Sequence, residues 1–124
     1  MPDLKPKLLI VEDDISSQQF YTFTLEDSYE LFFVPTVSKA KGILKEHDFV
    51  ASIIDVSLPG EEDGMDLIKY MRQAYPDFSS IIAITAHAFP QNRIDVLEAG
   101  AAEFFTKPIL EGDLLEVLRK YIQE

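Results

Sequence analysis

A single carboxylate stands at the end of an apolar stretch near the middle of this 124-residue sequence. The run at residues 50–54, VASII, has little polar interruption and several β-branched residues, which is typical of a strand covered on both faces. Asp55 follows the run directly and precedes a loop that contains proline and glycine. In open α/β sheets, ligands bind beyond the carboxyl ends of the strands, so an acid here can take part in chemistry. Taken alone, Asp55 is equally typical of a turn.

A second run of strand length, at residues 7–11, ends in the acids Glu12 and Asp13. Carboxylates that meet at one edge of a sheet repel one another unless a cation lies among them. Mg²⁺ suits such a site because it binds through one or two carboxylates, keeps several waters and accepts phosphate oxygens in its remaining positions. The sequence therefore predicts a Mg²⁺ site formed by Asp13, Asp55 and the backbone carbonyl of Ser57.

Two other predicted strand ends carry a hydroxyl and a cation. Thr85 closes the run SIIAIT, and Lys107 follows the short aromatic run at residues 103–106. An aspartate can attack a phosphoryl group to give an aspartyl-phosphate, while a metal ion, a lysine and a hydroxyl neutralise or hydrogen-bond the oxygens of that group. Asp55, Thr85 and Lys107 are therefore predicted to be the reactive residues. The alternatives are a β-forming threonine and a solvated lysine at ordinary strand ends.

Strand and helix patterns alternate five times along the chain, which predicts a single domain over residues 1–124. Its fold class is α/β, with a doubly wound five-stranded parallel sheet and helices on both faces. Right-handed crossovers favour the flavodoxin-like strand order 2-1-3-4-5, which brings the ends of strands 1, 3, 4 and 5 to one crevice. The predicted strands are residues 7–11, 30–34, 50–55, 80–85 and 103–106.

The predicted helices begin near Ser16, Ser38, Asp63, Pro90 and Gly112; either Asp14 or Ser16 is expected to cap the first, and Ser38 the second. The fourth helix should end at Gly100. Apolar periodicity predicts the residues that share a face on each helix, which are Phe20 and Phe23 on the first, Ala40, Ile43 and Leu44 on the second, Leu67, Ile68 and Met71 on the third, Ile94 and Leu97 on the fourth, and Leu114, Leu115, Leu118, Tyr121 and Ile122 on the fifth. The apolar residues of the second and fourth helices are expected to face inwards.

The composition excludes several classes of site and partner. The chain has no cysteine, so disulfides and thiolate metal sites are excluded. With 22 acidic and 11 basic residues, its formal charge of -11 repels nucleic acids and anionic membranes, and direct binding to either is not expected. The apolar run near the N-terminus is cut short by acids, unlike a signal peptide or membrane span, so a cytoplasmic protein is expected.

In combination, these residues resemble the CheY-like receiver domains of two-component response regulators, over about residues 7–122. The motifs that carry the resemblance are Val11-Glu12-Asp13-Asp14, Asp55 with Leu58-Pro59-Gly60 and Asp63-Gly64, Ile84-Thr85-Ala86, Gly100-Ala101, and Thr106-Lys107-Pro108. One loop departs from the pattern, because three residues, 60–62, separate Pro59 from Asp63 where the family more often has two. This difference bears on partner docking more than on chemistry.

The resemblance implies a phospho-acceptor of a phosphorelay, not a metabolic enzyme. A histidine kinase or histidine phosphotransfer domain would pass its phosphoryl group to Asp55, with self-catalysed phosphorylation and dephosphorylation. The modified protein would switch a surface that acts on a downstream protein or a linked output domain. The resemblance also implies that Glu12 reaches Mg²⁺ through water and that the bond between Lys107 and Pro108 is cis. Phe104 occupies the position of an aromatic residue that turns inwards on activation, and Thr85 is predicted to form the switch together with it.

Several other residues carry weaker predictions. His87 lies two residues beyond the fourth strand, where it would either influence hydrolysis of the phosphoryl group or be an ordinary loop residue. Ile15, Pro108 and Ile109 are predicted to form an apolar rim against which the phosphodonor docks. His47 precedes the central strand and is predicted to be plain surface.

Two other functions fit parts of the pattern. A Mg²⁺-dependent phosphohydrolase of the haloacid dehalogenase type also uses an aspartate nucleophile, a threonine and a lysine. There the nucleophile is on the first strand and the acidic pair comes last, which is the reverse of the order here, and this chain has no cap insertion. A phosphorylation-independent, receiver-like binding module typically lacks the acids or the lysine, all of which are present here. The phospho-acceptor function is therefore predicted.

Overall fold

The computed structural model describes residues 5–78, 80–86 and 90–122. Strands and helices alternate along these residues, in the order β1 (Lys7–Val11), α1 (Ile15–Leu25), β2 (Glu30–Val34), α2 (Val37–Leu44), β3 (Ala51–Asp55), α3 (Gly64–Ala74), β4 (Ile81–Thr85), α4 (Pro90–Ala99), β5 (Glu103–Thr106) and α5 (Glu111–Tyr121).

The five strands form one parallel sheet in the order β2-β1-β3-β4-β5, which confirms the predicted fold class and topology. All five residues of β3 are buried, as is β1 from Leu8 to Val11. Strands with helices over both faces bury every side chain, which explains why β1 and β3 are continuous apolar runs rather than alternating ones.

A hydrophobic core lies on each face of the sheet. Alternation along β1 sends Leu9 and Val11 into the core formed with α2, α3 and α4, and sends Leu8 and Ile10 into the core formed with α1 and α5. The residues predicted to share a face of α3, namely Leu67, Ile68 and Met71, are fully buried in the first core. Of the α2 residues, Ala40 and Leu44 are buried, while Ile43 is half-buried.

The apolar pair predicted to share a face of α1, Phe20 and Phe23, does not form the buried face of the helix. Phe23 is 80% exposed, and the buried residues are Tyr21 and Leu25. Phe20 is half-buried and packs against the edge of the same core. Residues four apart share a helix face, so a core contact at Tyr21 selects Leu25 and turns Phe23 towards solvent.

Two further helix faces differ from the prediction. In α4, Ile94 is 48% exposed and Val96 is the buried residue, with Leu97 half-buried. In α5, Leu114 and Leu118 are buried as predicted, and Val117, which the prediction omitted, is buried with them.

Side-chain hydrogen bonds to the backbone cap the first turns of α1 and α2. Asp14 caps α1 by accepting the N–H of Ser17 at 2.8 Å, which is one of the two predicted caps. The predicted Ser38 cap of α2 is wrong, because Thr36, two residues earlier, accepts the N–H of Lys39 at 3.2 Å. Gly100 has a positive φ of 128°, as predicted for a residue that ends a helix. No helix among the described residues is long and apolar enough to cross a membrane.

His47 is not plain surface. It is half-buried in the loop before β3, and its ring centroid lies 4.6 Å from that of Phe32 and 5.9 Å from that of Phe49. The Nζ atom of Lys7 lies 3.1 Å from His47 Nδ1. The residue therefore packs beneath the end of the sheet that lies opposite Asp55.

Ser52 is a polar residue in the middle of the buried strand β3. Its side chain is fully buried, and its hydroxyl has no hydrogen-bond partner among the described residues. A buried hydroxyl without a partner lowers stability. We therefore expect Ser52→Ala to raise the free energy of unfolding by about 1 kcal/mol, as measured by urea denaturation.

Ser80 offers a matched control, because it is also buried but donates from its hydroxyl to the carbonyl of Tyr121 at 3.2 Å. Ser80→Ala should lower the free energy of unfolding by about 1 kcal/mol. Equal destabilisation by the two substitutions would contradict the expectation for Ser52.

Candidate functional site

Four neighbouring strands end at one crevice, and each places a polar residue there. Glu12 directly follows β1, Asp55 ends β3, Thr85 ends β4 and Lys107 directly follows β5. The carboxyl ends of these parallel strands lie at the same edge because β1, β3, β4 and β5 are consecutive in the sheet. The structure thus brings together the acids, the hydroxyl and the cation that the sequence predicted to meet.

Lys107 joins the two buried acids. Its Nζ atom lies 2.9 Å from Oε1 of Glu12 and 2.9 Å from Oδ2 of Asp55. The peptide bond between Lys107 and Pro108 is cis, which confirms what the family resemblance implied. The ammonium is therefore already in contact with the residue predicted to react.

Asp55 is held through both carboxylate oxygens. Oδ2 contacts Lys107, and Oδ1 accepts the backbone N–H of Ser57 at 2.9 Å. Only 6% of Asp55 is exposed. Beyond it, the N–H of Gly64 donates to the carbonyl of Val56 at 2.9 Å, which ties the start of α3 to the end of β3. These contacts therefore fix the orientation of the carboxylate.

Glu12 is almost fully buried, with 1% of its surface exposed. Besides the contact with Lys107, it accepts the backbone N–H of Asp14 on Oε2 at 3.1 Å. Burial raises the pKa of Glu12 above its ordinary value, and the charge of Asp55 adds to this effect. The hydrogen bonds from Lys107 and Asp14 act in the opposite direction without cancelling it. A buried carboxylate with a raised pKa gains stability from an additional nearby cation.

The crevice also shifts the pKa values of two other groups, Lys107 and the nearby Tyr21. Partial burial acts to lower the pKa of Lys107, but hydrogen bonds to Glu12 and Asp55 outweigh it, so the pKa is raised and the residue remains an ammonium at neutral pH. Burial, followed by the negative charges of Glu12 and Asp55, raises the pKa of Tyr21. The phenol of Tyr21 therefore remains neutral. Its proximity to the acids was not predicted, because it depends on which face of α1 is buried.

The donor set fits a hard divalent cation. Glu12, Asp13 and Asp55 each offer a carboxylate oxygen, and these three oxygens lie within 4.8 Å of one another. Asp13 is exposed at the mouth, whereas the other two acids are buried. One lysine lies among three carboxylates and pairs with two of them, Glu12 and Asp55, so negative charge remains in excess. Oxygen donors with excess negative charge are what Mg²⁺ prefers.

The sequence profile described as "Response regulator receiver domain" matches residues 8–119. The chain belongs to this family. Receiver domains are the phospho-accepting modules of two-component signalling. The general role of the chain is therefore that of a signalling phospho-acceptor.

Similarity to individual proteins agrees with this assignment. The chain is 28% identical over 122 residues to the alginate biosynthesis transcriptional regulatory protein AlgB of Pseudomonas putida, with coverage of 98% of this chain and 27% of the relative. Response regulator protein PilR of Pseudomonas aeruginosa is 30% identical over 115 residues, which is 92% of this chain and 25% of PilR. The chain thus spans about a quarter of the length of these relatives.

Solved receiver structures superpose closely on the chain. A CheY-like response regulator receiver domain protein from Methanospirillum hungatei has a TM-score of 0.87 and 26% identity, with coverage of 95% of this chain and 94% of that one. Vibrio cholerae chemotaxis protein CheY4 has a TM-score of 0.85 and 28% identity, with coverage of 94% and 98%.

The two residues predicted to act as a switch occupy buried positions in this receiver. Thr85 is 1% exposed, and its hydroxyl oxygen lies 3.5 Å from that of Ser57. Phe104 is 6% exposed and belongs to the core beneath α2, α3 and α4. The Phe104 ring therefore already occupies an inward position, next to the strand that carries Thr85. His87, predicted to influence hydrolysis, lies outside the described residues.

The apolar rim of the receiver crevice differs in one residue from the prediction. Ile15 is 68% exposed and Pro108 is also exposed, but Ile109 is buried. Its neighbour Leu110 is 68% exposed instead, because Ile109 points into the core shared by α1 and α5. A groove of about 300 Å³ lies beside this rim and is lined by Ser16, Ser17, Phe20, Tyr21, Lys107, Pro108 and Ile109.

Proposed function

We propose that this receiver accepts a phosphoryl group on Asp55 from a histidine kinase or a histidine phosphotransfer domain, with Mg²⁺ as cofactor. The observation that carries the proposal is the position of the Asp55 carboxylate, which faces the crevice, contacts Lys107 at 2.9 Å and lies beside Glu12 and Asp13. The proposal extends the family's phospho-acceptor role to a particular residue, donor class and metal.

Mg²⁺ would be held by Asp13, Asp55 and the backbone carbonyl of Ser57, with Glu12 acting through a bound water. When bound, the ion supplies positive charge that neutralises the transferring phosphoryl group. The exposure of Asp13 at the mouth supports a site that opens to solvent and keeps several waters.

Three residues of the chain have separate roles in the transfer. A carboxylate oxygen of Asp55 attacks phosphorus as the bond to the donor histidine nitrogen breaks, and the electron pair of that bond returns to the imidazole. Lys107 stays beside the new phosphoryl oxygens, and the Thr85 hydroxyl donates to one of them. Hydrolysis, in which a water molecule attacks phosphorus and the Asp55 carboxylate leaves with the electron pair of the broken bond, uses the same contacts. Neither step requires a residue outside the crevice.

The phosphodonor would dock over the crevice mouth, where the exposed Pro108 lines the groove beside Lys107 and the exposed Ile15 and Leu110 offer further apolar surface. The phosphorylated receiver would act on a downstream protein or on a linked output domain, as suggested by the longer relatives AlgB and PilR. A cytoplasmic location, organisation as a single domain over residues 1–124, and no direct contact with nucleic acid or membrane belong to the same proposal. The complete set of acids, threonine and lysine supports phospho-acceptance over a phosphorylation-independent binding module.

The direct test uses acetyl phosphate as a small phosphodonor. Intact-mass measurement should show one phosphate adduct when the protein is incubated with acetyl phosphate and Mg²⁺. Chelation of the Mg²⁺ should prevent formation of the adduct, because the crevice acids would then repel the phosphoryl group. An unmodified protein in the presence of saturating Mg²⁺ would contradict the proposal.

Phosphorylation should be read out through Thr85 and Phe104 at the surface formed by α4, β5 and α5. A phosphoryl group gives the Thr85 hydroxyl a charged acceptor, a bond that contributes about 1.5–3 kcal/mol. That contribution is enough to shift a ring with two nearly equal positions. Because Phe104 is buried in this structure, we expect the free protein to exchange between this inward position and an outward one, and phosphorylation to favour the inward position. Comparison of free and beryllofluoride-bound protein by NMR should therefore show changes at both residues, and changes confined to the neighbours of Asp55 would refute this coupling.

A further inference from the structure

The predicted metal carboxylate Asp13 differs from the other two acids of the crevice. Glu12 and Asp55 are each fixed by Lys107 and by a backbone N–H. The Asp13 carboxylate is exposed and makes no hydrogen bond or ion pair with residues 5–78, 80–86 or 90–122. Its direction therefore depends on the main chain that carries it.

That main chain is held from two sides. The N–H of Glu12 donates to the carbonyl of Val34 in β2 at 3.0 Å. The carbonyl of Glu12 accepts the side-chain amide of Gln18, from Nε2, at 2.7 Å. This carbonyl belongs to the planar peptide group that joins Glu12 to Asp13, so the bond from Gln18 fixes the orientation of that plane. No other side chain among the described residues is seen to hold this carbonyl.

Gln18 is itself well anchored in α1. Its N–H donates to the carbonyl of Asp14 at 3.0 Å, and its carbonyl accepts the hydroxyl of Thr22 at 2.9 Å. Asp14 in turn caps the helix through the N–H and the hydroxyl of Ser17, at 2.8 Å and 2.9 Å. The amide of Gln18 therefore reaches back from a fixed helix to the turn that precedes it.

We propose that Gln18 is a positioning residue for the Mg²⁺ site. Its side-chain amide orients the peptide between Glu12 and Asp13, so that the Asp13 carboxylate faces Glu12 and Asp55. This inference rests on the proposed Mg²⁺ dependence of the receiver. A purely structural role for Gln18 would change the stability of the fold but not the affinity of the folded protein for Mg²⁺.

The test is a Mg²⁺ titration followed by NMR, which requires no phosphorylation. Gln18→Met keeps the length of the side chain and removes the donor. It should weaken Mg²⁺ binding by about tenfold, which is the lower end of the losses seen when the support of a metal ligand is removed. Gln19→Met places the same change on the exposed neighbour of Gln18 and should leave the affinity unchanged. Asp13→Ala provides the reference for loss of the carboxylate itself.

Gln18→Glu is a second variant, in which a carboxylate that cannot donate replaces the amide while the shape is kept. It too should weaken Mg²⁺ binding, with the folded state of every variant checked by circular dichroism. In acetyl phosphate reactions, saturating Mg²⁺ should restore the phosphorylation rate of Gln18→Met, because only the metal-binding step is impaired.

Unchanged Mg²⁺ affinity in folded Gln18→Met, or equal losses in Gln18→Met and Gln19→Met, would overturn the positioning role. Wild-type protein that binds no Mg²⁺ would overturn it as well. Wild-type protein that binds Mg²⁺ but forms no phosphate adduct would instead contradict the proposed function, and the titration would still decide the role of Gln18.

Discussion

Asp55→Asn is expected to abolish the phosphate adduct while the fold persists. The asparagine side chain has nearly the shape of aspartate but lacks the anionic oxygen that would attack phosphorus. Its carbonyl oxygen can still accept the N–H of Ser57, which holds Asp55 at 2.9 Å. Loss of one of three neighbouring carboxylates also relieves repulsion with Glu12 and Asp13. Intact mass after incubation with acetyl phosphate and Mg²⁺ measures the result.

Asp48→Asn is the matched control for this substitution. Asp48 is an exposed acid in the loop before β3, at the end of the sheet that lies opposite Asp55. It should accept no phosphate, so the variant should carry the same adduct as the wild type. An adduct that persisted in Asp55→Asn would refute Asp55 as the acceptor, and Asp13, the exposed acid of the crevice, would be the next residue to replace.

The strands and most of the crevice residues could be predicted because buried parallel strands have a simple sequence pattern. The runs of β1, β3 and β4 are short and mostly apolar, and a polar residue stands where each of them ends at the crevice. Strand order then brings those polar residues together, which explains why Glu12, Asp55, Thr85 and Lys107 were expected to meet and do so. The topology constrains the site more strongly than any single motif does.

Helix faces were harder to predict because a helix of mixed composition offers several apolar stripes. In α1, Phe20 and Phe23 form one apolar pair and Tyr21 and Leu25 form another. Only the packing against β1 and α5 selects the second pair and leaves Phe23 exposed. Sequence periodicity cannot decide between stripes of similar hydrophobicity.

Contacts made by polar side chains were the least predictable. Nothing in the sequence distinguishes Gln18, which donates to the carbonyl of Glu12, from its neighbour Gln19, which is exposed. The loop between Pro59 and Asp63 gives a second example, since its residue Glu62 forms a 3.1 Å ion pair with Lys41 of α2. This pair is partly exposed and contributes at most about 1 kcal/mol, so it orients the loop more than it stabilises the fold.

Gly64, the first residue of α3, has a steric role that connects stability to the site. A Cβ atom added there would lie 2.6 Å from the Cα of Val56 and closer still to the carbonyl oxygen of Asp55. Both are backbone atoms, so no side-chain rotation can relieve the clash. The N–H of Gly64 also donates to the carbonyl of Val56, which keeps the helix against the end of β3. An added methyl group must therefore displace either α3 or the strand end that carries Asp55.

Gly64→Ala should accordingly lower the free energy of unfolding by about 1–3 kcal/mol or more, the range observed for overpacked interiors. Mg²⁺ affinity and phosphorylation should fall in the fraction that remains folded, because Asp55 moves with the strand end. Gly42→Ala is the control, since a Cβ atom at Gly42 of α2 would meet nothing within 4 Å. That substitution should raise the free energy of unfolding by about 0.5–1 kcal/mol, because alanine favours the helix over glycine. Urea denaturation and Mg²⁺ titration of the two variants decide the matter: if Gly64→Ala were as stable as Gly42→Ala and bound Mg²⁺ equally well, the close approach of α3 to Asp55 would have no part in holding the site.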